Sequence, residues 1–131
     1  MILFKEKYRK KPPKYDISYA TNIILLKGQK LKREGKYEEA QKIYDFILDY
    51  DGASGILYIA MAKNLACNME YDNAIFLFQL ANQACLDENR IQDENCLYHI
   101  QQLTNRESMG KENFLRYMKS IAGNPNYKFP Y

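Results

Sequence analysis

A repeat of 34 residues constrains this chain more than any other feature. Tyr37 and Tyr71 stand 34 residues apart, as do Ala40 and Ala74, Tyr44 and Phe78, Gly28 and Ala62, and Leu31 and Leu65. Small residues match small ones and large match large. A period of this length in helical sequence marks stacked helix pairs. The small residues let two helices approach closely, and the large rings fill the space beside them, as a close-packed interior requires. Apolar spacing then lays out the helices. Ile23, Ile24, Leu26 and Leu31 define one over about 17–34, capped by Asp16 or Ser18 and stopped at Gly35. Tyr37, Ala40, Ile43, Tyr44, Ile47 and Leu48 form one face of its antiparallel partner, which ends near Tyr50. After Asp51-Gly52, a third helix runs from Ser54 to about Asn68 and a fourth from Tyr71 or Asp72 to about Leu86. The fourth is apolar nearly all round, which predicts burial on both sides.

The shared frame is a small residue on the first helix, then GKYEEA (Gly35–Ala40) or MEYDNA (Met69–Ala74), then an aromatic four residues on. It resembles the tetratricopeptide repeat, with copies at about 21–54 and 55–88. The chain departs from the pattern at Ile24, Lys27, Gly52 and Leu86. The resemblance implies an all-α fold, a right-handed superhelical stack of antiparallel helix pairs. Past Leu86 the period is lost, but Ile91, Cys96, Leu97, Ile100 and Leu103, then Phe114, Leu115, Met118 and Ile121, give two further stripes, the last closed by Gly123. They predict a degenerate pair over about 89–122 that covers the end of the stack. The helical domain is therefore read as 16–123.

The ends differ from this body. Residues 1–15 hold Lys5, Lys7, Arg9, Lys10, Lys11 and Lys14 against Glu6, so the arm is +5 in a chain whose net charge is +3. Pro12-Pro13 bar a helix there. Such an arm can meet an anionic partner. The tail 124–131, NPNYKFPY, cannot continue a helix past Pro125, and its rings at Tyr127, Phe129 and Tyr131 are expected to dock on the body or on a second molecule. Self-association through the tail or the end helices stays open.

Cys67, Cys85 and Cys96 are odd in number and embedded in apolar sequence, so they read as reduced core thiols, and the lone His99 beside Cys96 makes a weak metal signal. The apolar start MILF precedes the charges and is too short for a signal peptide, and no apolar run approaches the ~20 residues that span a bilayer. The expectation is a soluble cytoplasmic protein. No phosphate loop or catalytic constellation has the required spacing, so neither enzymatic activity nor a cofactor is expected.

What the resemblance implies about function is a non-enzymatic, chaperone-like adaptor that receives a peptide in a concave groove lined by the first helix of each pair. The groove positions are Asn22, Leu25, Gln29 and Lys32, then Ile56, Ile59, Lys63 and Ala66. Leu25 and Ile59 stand where relatives that grip a terminal carboxylate carry polar residues. The set suits an apolar anchor with acidic flanks. The alternative is association with nucleic acid, in which the arm's cations meet phosphates and Tyr8 and Tyr15 stack on bases. Against it, the helices carry no matching basic stripe.

Overall fold

The computed structural model describes residues 19–52, 54–87 and 96–130. The basic arm, Pro12-Pro13, the candidate caps Asp16 and Ser18, and Tyr131 lie outside the described residues. Six α-helices run through the described residues, and no strand occurs among them. They are α1 Tyr19–Arg33, α2 Tyr37–Asp51, α3 Gly55–Cys67, α4 Tyr71–Asp87, α5 Cys96–Thr104 and α6 Lys111–Ala122. The fold is all-α, with breaks where Gly35, Gly52, Asn68–Glu70 and Gly110 place them.

The internal repeat is visible bond by bond in the turns. In the α1–α2 turn the amides of Glu34, Gly35 and Lys36 donate to the carbonyls of Lys30, Lys32 and Leu31. In the α3–α4 turn those of Asn68, Met69 and Glu70 donate to Asn64, Ala66 and Leu65, each 34 residues on. These bonds satisfy carbonyls that a helix end leaves without an intrahelical donor. Both turns pass through a left-handed residue, Gly35 at φ 81° and Met69 at φ 65°. Glycine adopts that conformation freely; methionine does not.

Ala40, Ala62 and Ala74 are fully buried, and Gly28 is buried as well. A Cβ added at Gly28 would stand 2.6 Å from Cε1 of Tyr44, whose ring is itself wholly enclosed. Hence the small residue and the ring four positions beyond Ala40 are two halves of one contact. Ala74→Leu is expected to overpack the equivalent contact in the second half and to lower stability by roughly 1–3 kcal/mol, read from denaturant unfolding. An unchanged midpoint would mean that no helix presses on that position.

At the centre lies α3, which touches α1, α2, α4 and α6. Eleven of its thirteen residues are buried, and even Asn64 is 1% exposed. The Asn64 amide donates to the Tyr37 carbonyl at 2.9 Å, tying α3 to the start of α2. Ser54 caps α3, its Oγ accepting from the Leu57 amide at 3.1 Å. As expected, α4 is covered on two sides, by α3 and α5.

The last two helices rest mainly on different helices of the first four. α5 packs on α4, whereas α6 packs on α3. The reason is surface. α6 buries Phe114, Tyr117, Met118, Ile121 and Ala122 in one continuous stripe. That stripe needs a broad apolar helix beneath it, and α3 is one. α5 and α6 meet through side chains, with Nδ1 of His99 2.8 Å from the Tyr117 hydroxyl.

Long-range side-chain bonds to carbonyls at helix C-termini fasten this arrangement. Lys32 Nζ donates to the Ile121 carbonyl at 2.6 Å, Asn124 Nδ2 to Arg33 at 3.0 Å, and the Tyr127 hydroxyl to Cys67 at 2.7 Å. They close the last turns of α6, α1 and α3, where carbonyls lack helical donors. The described part of the tail therefore docks on the body, with Tyr127 buried and Phe129 stacked on Phe114 at 6.0 Å.

Candidate functional site

Five of the expected groove residues converge. Gln29 and Lys32 of α1 and Ile56, Ile59 and Lys63 of α3, with Ala60, line one recess of about 130 Å³. Their meeting follows from the repeat, which sets the same face of α1 and α3 side by side. The other expected residues divide. Asn22 is exposed beyond the recess, while Leu25 and Ala66 lie in the core.

Burial alters the character of this face. Leu25 is 3% exposed and Ile59 5%, so both belong to the core cluster rather than to an open apolar floor. Introducing a charge at Ile59 tests folding, not a free binding surface. Ile56, Gln29 and Lys63 are half-buried and form the accessible part. Lys32 is 8% exposed, and its bond to Ile121 brings the end of α6 to the edge of the recess. The chain's own last helix thus takes up part of the inner face.

The recess is electropositive. Burial pushes the Lys32 ammonium down to about 8, with the like charges of Lys63 and Arg33 acting in the same direction. The nearby Cys67 thiol is pushed up to about 12 by its burial, although Lys32 and Lys63 pull the other way. Cys67, Cys85 and Cys96 are all buried thiols outside any disulfide. A thiol held so far above neutral pH is a packing group, not a nucleophile.

A larger recess, of about 470 Å³, lies elsewhere, lined by Met69, Tyr71, Arg106, Glu107, Lys111, Phe114 and Phe129. Its rings are ordered against one another: Tyr71 meets Phe114 edge-on at 5.6 Å, and Phe114 stacks on Phe129. The Arg106 guanidinium lies 4.8 Å from the centre of the Tyr71 ring and donates to the Leu103 carbonyl at 2.8 Å. Reading the sequence did not find this site, since its residues come from the α3–α4 turn, the start of α4, the α5–α6 connection, α6 and the tail. The one signal available was a ring-rich tail.

His99 belongs to neither recess. It stacks on Phe78 at 4.8 Å and shares a hydrogen bond with Tyr117. Burial moves its imidazole down to about 4. It is a neutral core group joining α4, α5 and α6. Among the described residues no group of three or more His, Cys, Asp or Glu side chains is placed to hold a metal ion, and no helix is long and apolar enough to cross a membrane. The six basic residues of the arm, Lys5, Lys7, Arg9, Lys10, Lys11 and Lys14, lie outside the described residues. A scan against protein-family models and searches of curated proteins and of solved structures find no match to this chain.

Proposed function

We propose that this protein is a non-enzymatic interaction module of the tetratricopeptide-repeat type, an adaptor that receives a peptide segment of another protein on the α1/α3 face. The observation that carries this reading is the convergence of Gln29, Lys32, Ile56, Ile59 and Lys63 on one recess. Two lysines and an amide beside the half-buried Ile56 suit one apolar anchor next to an acidic residue of the peptide. The small volume and the presence of α6 at its edge restrict the contact to one inserted side chain and a short flanking segment. The bound peptide is therefore short rather than a long helix filling a groove.

Selection from a displayed random-peptide library against the full chain tests the proposal. The expected result is a consensus of an apolar residue flanked by Asp or Glu, bound roughly tenfold more weakly by Lys63→Glu. Lys63 lies at the accessible edge of the recess, so the variant's melting temperature is expected to stay close to that of the parent. A consensus that Lys63→Glu binds equally well, or no consensus at all, would count against the α1/α3 face.

A further inference from the structure

We propose that the aromatic recess between the α3–α4 turn, the α5–α6 connection and the tail is a second peptide site, taking an aromatic side chain with a carboxylate next to it. Nothing in the repeat frame assigns a site there, since the α1/α3 face is built from other residues. The proposal rests on the walls, the charge and one backbone position.

Much of the wall is apolar. Tyr71, Phe114 and Phe129 present rings, and Met69 presents a thioether. A volume of about 470 Å³ falls in the lower part of the roughly 300–1,000 Å³ range of ligand clefts. That is room for one ring and part of its backbone. An entering ring can meet Phe114 and Phe129 in the edge-to-face or offset geometries that aromatic groups favour.

The charge selects what accompanies the ring. Arg106 and Lys111 line the recess against the single carboxylate of Glu107. Arg106 Nη2 lies 4.0 Å from Asp72, whose side chain is 94% exposed, so water screens that contact and the guanidinium can still accept a second anion. Lys111 opens α6, where the amides of the first turn add positive potential. A carboxylate beside the ring would meet both cations, whereas a basic neighbour would be repelled.

The backbone position is Met69. The turn it occupies repeats that of Gly35, hydrogen bond for hydrogen bond. Met69 is the one non-glycine residue with positive φ among those described. Glycine would build the same turn without strain, as it does at Gly35. Methionine here costs conformational energy, and what the side chain adds in return is a polarizable wall to the recess. Strain retained at a cavity wall is consistent with a ligand contact rather than with folding.

The test separates this site from the α1/α3 face. A displayed random-peptide library is selected against the full chain carrying Lys63→Glu, and enriched peptides are synthesised and titrated against further variants. The expected consensus is Phe, Tyr or Trp adjacent to Asp or Glu. In the same background, Met69→Gly is expected to raise the melting temperature yet weaken these peptides roughly five- to tenfold. Lys111→Glu is expected to weaken them at least as much with little change in melting. If Met69 were only a turn residue, Met69→Gly would raise the melting temperature and leave binding unchanged. That result overturns the proposal, as does equal binding by Lys111→Glu or the absence of an aromatic–acidic consensus. Loss of the α1/α3 consensus alone bears only on the first site.

Discussion

Phe78→Ala is expected to lower the unfolding free energy by about 3–5 kcal/mol, the usual loss when a fully buried aromatic ring is cut back to a methyl group. Phe78 has no exposed surface, and its ring lies 4.8 Å from that of His99 with only 11° between the planes. The substitution removes the ring from the α4 side of the α4–α5 contact. The cavity adjoins a buried imidazole and its bond to Tyr117, so collapse into it would strain that bond. Against a typical domain stability of about 5–15 kcal/mol, the loss is large enough to leave a measurable unfolded fraction. Urea unfolding followed by circular dichroism reads it directly. A loss below about 1 kcal/mol would show that α5 does not press on α4 at this position.

The second large effect is acid destabilisation centred on His99. The folded value of about 4 lies below the ordinary 6.5 because burial disfavours the imidazolium, with the Lys63 charge adding to the effect. Between these values the unfolded chain binds a proton that the folded chain does not. The contribution is therefore complete above about pH 6.5, declines as pH falls, and is gone at about pH 4. Its size follows from the shift, about 3 kcal/mol in all. A neutral ring also suits its partner, since burial raises the Tyr117 hydroxyl well above the ordinary phenol value and keeps its proton. Denaturant midpoints across this pH window are expected to fall in the parent and to fall much less in His99→Asn. Equal slopes in the two proteins would show that His99 does not control the transition.

The helices, the breaks at Gly35, Gly52, Asn68–Glu70 and Gly110, and the close contacts between the first four helices were legible in the residues themselves. Helix formation and turn chemistry are local, and a periodic stripe of apolar side chains states which way each helix faces. The period of 34 added a rule about neighbours, because identical units stack in the same way. Gly28 against Tyr44, and the enclosure of Ala40, Ala62 and Ala74, follow from that rule.

Beyond Leu86 the rule stops, and the tertiary structure decided the rest. The stripe Phe114, Tyr117, Met118 and Ile121 announces a helix with one buried face but does not say which surface receives it. α3 does, through contacts that local patterning cannot encode. Lys32 meets Ile121 across 89 positions, Asn124 meets Arg33 across 91, and Tyr127 meets Cys67 across 60. Tertiary packing also turned expected groove residues into something else. Lys32 became a tether for α6, while Leu25 and Ile59 joined the core. The aromatic recess is the extreme case, since Met69, Arg106, Phe114 and Phe129 share no spacing that marks them as neighbours. Periodicity reports the orientation of a residue about its own helix axis, whereas a site depends on which other segments come to lie against that face. Only the packing of α6 and the tail supplied that.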